Sequence, residues 1–329
     1  MMANEFVYKF PDDDEENRIL DELVFNVLDS KDDKEKEEEL EFDINNHPNI
    51  YHYTSPMGLK EIITDNSLWF THYKFLNDRS EKYYCYDLFK RCIEREKGEL
   101  KKVFYSTILS VISENGDLNY EIFNKKTKDL PDYYIASFSL NNNSLSMWNY
   151  YTKTINKTGY NISFKTKELI NSLKNKSYNY YKVNYDIKRQ TNEIERYIRC
   201  FNNAWDDTKS EAFLQWLQYL LLDLIDLISL RFKHHAFANE EEFRIVYKVT
   251  SLNSEIIEKE KLLEFRESNG IIVPYLNIGF NKTSIEGIKI SPMQQDELVK
   301  EGLLMMLNNM GYHHFEKKDI TTSDIPLRN

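Results

Sequence analysis

Apolar positions first recur at helical spacing in residues 17–28, where Ile19, Leu20, Leu23, Val24, Val27 and Leu28 share one side of an amphipathic helix. Ser30 to Glu41 is a solvated charge run, and His47-Pro48-Asn49 is a turn. Asn49–Thr54 alternates as a short strand. Ser55-Pro56 then starts a helix, with Ser as N-cap and Pro at the first helical position, which carries Leu59, Ile62 and Ile63 and stops near Asn66. Leu68–Thr71 is a second strand, Phe75–Glu81 a turn, and Tyr84, Leu88 and Cys92 mark the next helix. Val103–Ile112 is helical, Tyr133–Leu140 a strand, Asn141–Asn143 a polar turn, and Ser144 caps a short helix with Met147, Trp148 and Tyr151. Strands follow at Tyr160–Lys165 and Tyr178–Tyr185, helices over Glu193–Ala204 and Ser210–Phe232, and a strand over Glu242–Val249. Gly270–Pro274, Ile285–Ile290 and His314–Ile320 close the sheet, and Gln294–Met310 is a helix. Strands and helices intermix without regular βαβ alternation, so the fold class is α+β, with a mixed or antiparallel sheet core, surrounding helices and a helical insertion. There is no internal repeat.

The 329 residues, 41% hydrophobic and 14% aromatic, suffice for a core and exclude global disorder. Only 9 Gly and 7 Pro argue against a Gly-rich linker protein or a many-turned propeller. The net charge of −11 is unevenly spread: residues 1–46 hold 17 acidic and 5 basic residues, and the remainder 37 acidic and 38 basic. The expected organisation is therefore an acidic arm over 1–46, with one amphipathic helix, and a single near-neutral domain over 47–329. Cys85, Cys92 and Cys200 form no metal-ligand spacing and read as reduced thiols of a cytoplasmic protein. The N-terminus lacks the features of a secretory signal. Tyr219–Leu230, interrupted by Asp223 and Asp226, reads as a buried helix, and no membrane partner is expected.

Four constellations carry candidate chemistry. In Tyr51-His52-Tyr53-Thr54 strand alternation points His52 and Thr54 the same way, and both can hydrogen-bond a sugar hydroxyl. A partly buried His and a cap-like Thr is the stronger reading of that pair alone. Glu240-x-Glu242-x-Arg244, read as strand, sets two carboxylates and a guanidinium on one face. Such a carboxylate stabilises a developing sugar cation or acts as a base, whereas the bland alternative is a solvated strand start. Ser137-Phe138-Ser139 through Ser144, Met147-Trp148 and Tyr151 fits either the wall of a flat-ligand pocket or plain core. Leu76-Asn77-Asp78 with Glu81 fits a turn and an acidic helix start equally well. The pairs His234-His235 and His313-His314 diverge as neighbours and complete no metal set, and no glycine-rich phosphate loop or Gly-x-Ser-x-Gly elbow is present.

In order, His52-Tyr53-Thr54, Leu76-Asn77-Asp78…Glu81, Ser137-Phe138-Ser139…Met147-Trp148…Tyr151 and Glu240-x-Glu242-x-Arg244 resemble the landmarks of the bacterial domain of unknown function 2971 family. The resemblance covers about 49–328. Ser291-Pro292 departs from the Gly-Pro expected there, and the arm lies outside.

That family is in turn remotely similar to ADP-ribosyltransferases. The resemblance implies NAD as substrate, no metal, and an activity suited to a toxin or phage-defence effector. His52 and Thr54 would hold ribose, Tyr53 or Trp148 would form a stacking wall, and Ser139 and Tyr151 would line the site. Glu242 would be catalytic, Glu240 would orient an acceptor and Arg244 would balance charge. The acceptor, protein or nucleic acid, stays open. The alternatives are a nucleotide sensor without catalysis and a nucleic-acid-acting protein. The latter draws on residues 153–190, where 9 basic residues face 2 acidic ones and Tyr160, Tyr178, Tyr180, Tyr181 and Tyr185 are interleaved. A solvated lysine-rich surface is the stronger reading of that segment, over which the acidic arm, or a partner protein, is expected to fold.

Overall fold

The computed structural model describes residues 11–28, 44–76, 80–112, 118, 131–151, 158–173, 178–268, 270–294 and 297–326. In chain order the first elements are α1 (Asp14–Leu28), β1 (Asn49–Thr54), α2 (Pro56–Asp65), β2 (Ser67–His72), α3 (Ser80–Glu96), α4 (Lys102–Val111) and β3 (Asp132–Ser139). Then come α5 (Leu145–Tyr151), β4 (Tyr160–Lys165), α6 (Thr166–Ser172), β5 (Tyr178–Lys182), α7 (Ile187–Ala204), α8 (Glu211–Ser229) and β6 (Glu242–Val249). The last are α9 (Ser251–Lys259), β7 (Leu263–Ser268), β8 (Ile271–Gly279), β9 (Ile285–Ile290), α10 (Glu297–Asn309) and β10 (Ile320–Thr322). The chain divides into two compact units. One is formed by 1–40, 77–131 and 184–235, the other by 41–76, 132–183 and 236–329.

The first unit is helical. Its core joins Leu20 and Leu23 of α1 to Phe89 and Ile93 of α3, Phe104 and Ile108 of α4, Ile194 and Ile198 of α7 and Leu217, Leu221 and Ile225 of α8. The described part of the acidic arm is therefore packed structure. Glu16 reinforces it: its carboxylate accepts from the Ser210 amide at 2.8 Å and the Ser210 hydroxyl at 2.5 Å, while that hydroxyl accepts from the Phe213 amide and caps α8. The charge run 30–41 lies outside the described residues, as do the side chains of Val27 and Leu28. By length and composition α8 would cross a membrane, but its apolar side chains fill this core and buried Asp226 accepts from the Tyr86 hydroxyl at 2.9 Å.

The second unit carries a ten-stranded, mostly antiparallel sheet. Its main path is β10-β9-β4-β1-β3-β2-β8-β7, β6 pairs with β3, and β5 pairs with β6. Among the named strands, β10 and β9 are the pair that runs parallel. One face packs Ile50, Phe70, Phe138, Ile162, Phe164, Phe243, Leu276 and Ile288 with Leu59 and Ile63 of α2 and Leu303 and Leu307 of α10. This is a mixed α+β architecture. The structure adds α6, α9 and β7, shortens the strand expected over 178–185 to β5, and extends the one begun at Gly270–Pro274 into β8. The strand expected over 314–320 is not there, a 3₁₀ turn at Lys317–Asp319 leading instead into β10 at Ile320–Thr322.

Candidate functional site

The sheet opens beside β3. Along one edge β3 pairs continuously with β6, from Asp132–Val249 to Ser139–Glu242. Along the other it pairs with β2 only at Ile135–Thr71 and Tyr134–His72, and with β1 only at Ser139–Tyr51. Residues 136–138 face a notch where β1 and β2 part. His52 sits there, its imidazole edge-on to Phe138 at 5.6 Å and its Nδ1 3.0 Å from the Ser137 carbonyl oxygen. A carbonyl only accepts, so Nδ1 carries the proton and Nε2 presents its lone pair. Burial, with a smaller contribution from the Arg266 charge, lowers the imidazole pKa, against the opposing pull of the Ser137 hydrogen bond. The ring is a neutral acceptor near pH 7.

Local sequence dictates this placement. The Ser55 hydroxyl accepts from the Gly58 amide at 3.1 Å and starts α2 directly after β1, with Pro56 in the first turn. Gly58 lets the helix seat on the strand, because a Cβ there would stand 2.2 Å from Thr54 Oγ1. Asn66, at φ 51°, ends α2 in the left-handed conformation and turns the chain into β2.

Across β3 the register pairs Ser139 with Glu242 and Ser137 with Arg244. Glu242 and Arg244 are both buried, and the guanidinium grips the carboxylate with two bonds, Nε to Oε1 and Nη2 to Oε2, each 2.8 Å. Glu240 lies outside β6. It ends a 3₁₀ turn over His235–Glu240, and Glu241, at φ 44°, turns the chain before β6 begins, so strand alternation does not reach back to residue 240. The Glu240 carbonyl accepts from the Ser139 hydroxyl at 2.7 Å.

Tyr53 and Trp148 are packed against each other rather than displayed. Their rings meet edge-on at 4.9 Å, both are buried, and Met147 joins them. The Tyr53 hydroxyl donates to the Asn141 carbonyl at 2.8 Å and accepts from the Ser144 amide at 2.9 Å, while Trp148 Nε1 donates to Asn143 Oδ1 at 3.1 Å. Together they pin the 141–144 turn that starts α5. Tyr151 is exposed at the end of α5, and Thr54 is buried against Gly58.

By register, His52 shares the Phe138 side of the sheet, while Glu242, Ser139 and Tyr51 share the other. The expected residues thus gather around one end of β3, distributed over both faces. Asn77 and Asp78 lie outside the described residues. In the helical unit, Glu81 forms a buried ion pair with Lys233 at 2.7 Å, a partner with no sequence signal. Of the tyrosines in the basic segment, Tyr178 packs on Phe70 and Tyr247 and Tyr160 lies against the sheet core, so neither is free to stack a base. Ser291, where glycine was expected, is buried and binds Gly159 through both its backbone and its hydroxyl.

Sequence reasoning missed Arg266. Its guanidinium lies 4.9 Å from the Trp69 ring centroid and 5.6 Å from that of Tyr275, and it donates to Thr71 Oγ1 at 2.9 Å. Nothing in Leu-Glu-Phe-Arg-Glu-Ser marks that arginine among its charged neighbours.

Residues 147–245 match the sequence model of the family described as Protein of unknown function (DUF2971). The match takes in Met147, Trp148, Tyr151, Glu240, Glu242 and Arg244, while His52-Tyr53-Thr54 precedes it. No curated protein and no solved structure matches the chain.

Proposed function

We propose that the notch beside β3 is a nucleotide site and that the protein acts on NAD in the manner of an ADP-ribosyltransferase. The observation that carries this reading is the neutral His52 in a break of the sheet, with a lone pair on Nε2 suited to a ribose hydroxyl. Nicotinamide leaves as a neutral molecule, so cleavage of its glycosidic bond needs little acid help. It needs a placed carboxylate, a fixed ribose and exclusion of water. Glu242, oriented by Arg244 at the same end of β3 but on the opposite face of the sheet from His52, is the carboxylate assigned to that task, which requires the ligand to pass through the notch to reach it. Glu240, Ser139, Thr54 and Tyr151 have no step in this reading, and Tyr53 and Trp148 support the site without stacking on the base.

One observation favours a second reading. Both Glu242 oxygens are already engaged by Arg244, as befits a structural ion pair in a protein that binds a nucleotide without consuming it. Mass spectrometry of NAD incubated with the wild type and with Glu242→Gln separates the two. Free nicotinamide from the wild type only, with the variant still folded and still binding NAD, supports the transferase. Saturable binding with intact NAD supports the sensor. No binding at all removes both.

A further inference from the structure

We propose that Arg266 is the anchor of a phosphate-binding subsite, taking the diphosphate of a nucleotide that enters the notch. The guanidinium is held by its stem in β7 and flanked by the rings of Trp69 and Tyr275. Only one hydrogen bond, to Thr71 Oγ1, uses its donor fork, and no carboxylate comes within ion-pair distance of it among the described residues. Burying most of a guanidinium is costly unless a counter-charge arrives. The carboxylate on the same strand face is already used. Glu264 accepts from the Tyr275 hydroxyl at 2.7 Å and from Asn277 Nδ2 at 3.1 Å. Glu61 is near enough to act on Arg266 through its charge but does not touch it. A planar donor fork with free N–H groups matches phosphate oxygens bidentately, and the ring stack fixes its plane. By register Arg266, with Thr71 and Tyr275, shares the sheet face of Ser137, Ser139 and Glu242, so a diphosphate held by it lies on the Glu242 side of β3. Trp69 is only half-buried.

This deepens the nucleotide reading, on which it rests for the source of the phosphate, but the chemistry is separable. The experiment titrates the full chain with inorganic pyrophosphate, ADP, adenosine and NAD by calorimetry, in the wild type, Arg266→Gln and Arg266→Lys. We expect the wild type to bind pyrophosphate and ADP and to favour ADP over adenosine at least tenfold. Arg266→Gln should abolish that preference. Arg266→Lys keeps the charge and the stem but loses the fork, and should weaken both anions several-fold. If Arg266→Gln fails to fold, as its melting curve would reveal, Arg266→Lys decides alone. Wild type that binds neither pyrophosphate nor ADP, or variants that bind both unchanged, overturn the inference. NAD bound equally by all three proteins overturns it while leaving the nucleotide reading intact. Pyrophosphate bound through Arg266 with no NAD binding sustains the subsite and removes the NAD reading.

Discussion

Removing the hydroxyl of Tyr53 tests how the His-Tyr-Thr strand supports the site. Tyr53→Phe keeps the ring and its 4.9 Å edge contact with Trp148, so the change isolates two hydrogen bonds, at 2.8 Å to the Asn141 carbonyl and 2.9 Å from the Ser144 amide. Both are made inside a packed cluster of Tyr53, Met147 and Trp148. An orphaned buried donor or acceptor costs about 1–3 kcal/mol. With one of each, and some relaxation of the turn, the expected loss is about 2–4 kcal/mol. Burial also raises the pKa of this phenol, so the hydroxyl keeps its proton and its donor role throughout the neutral range. With two compact units a single unfolding free energy is poorly defined, so a local readout is required. Hydrogen exchange of peptides covering 140–148 should accelerate roughly 30- to 700-fold, since each 1.4 kcal/mol is tenfold, while peptides in the helical unit stay unchanged. Acceleration below about threefold would refute the assignment of Tyr53 as the pin of the turn.

Gly58→Ala should destabilise the sheet unit by about 1–3 kcal/mol despite the better helix propensity of alanine, because its Cβ would meet Thr54 Oγ1 at 2.2 Å. Adding Thr54→Ala should recover most of the loss in urea denaturation, and no recovery would show that the contact is not the cause. His52 has a folded pKa below its unfolded value, chiefly through burial, so the unfolded chain takes up the proton first. Its contribution to stability is complete above about pH 6.5 and is lost as pH falls through the folded pKa. His52→Asn, whose amide can replace the Nδ1 donor to Ser137, should flatten that part of the stability profile. Deleting residues 1–46 exposes the partners of Leu20 and Leu23, worth roughly 3–6 kcal/mol together, and frees Ser210 from Glu16. Hydrogen exchange in α7 and α8 should accelerate strongly, and unchanged protection would contradict the packing of α1.

Much of the fold was legible in the sequence because several strands are short, alternating and firmly bounded. Asn49–Thr54 ends at a Ser-Pro helix start, Tyr160–Lys165 follows Gly159, and Glu242–Val249 and Ile285–Ile290 keep their apolar side chains in register. What escaped lacks that contrast. β7 carries its inward positions as Glu264 and Arg266, so it reads as a charged loop. α9 begins at Thr250, whose amide donates to Asn253 Oδ1 at 2.8 Å, a cap without the usual glutamate or glutamine signature. The Glu-x-Glu-x-Arg reading extended alternation one residue pair too far, because a left-handed turn at a glutamate leaves no glycine to announce it. Tyr53 or Trp148 is expected from the sequence as a wall for a ligand, but periodicity does not say whether a ring faces a ligand or another ring. That is set by the 141–144 turn, whose asparagines bind Tyr53, Trp148 and Asn161. Arg266 is visible only once β2 and β8 bring Trp69 and Tyr275 to it.

A nucleotide seated in the notch would meet His52 first. The most direct test follows the imidazole resonances of His52 by nuclear magnetic resonance during an NAD titration, assigned through His52→Asn. Saturable shifts at Nε2, with the Nδ1 proton retained on its bond to Ser137, are the predicted result. Resonances that stay fixed through millimolar NAD would contradict it.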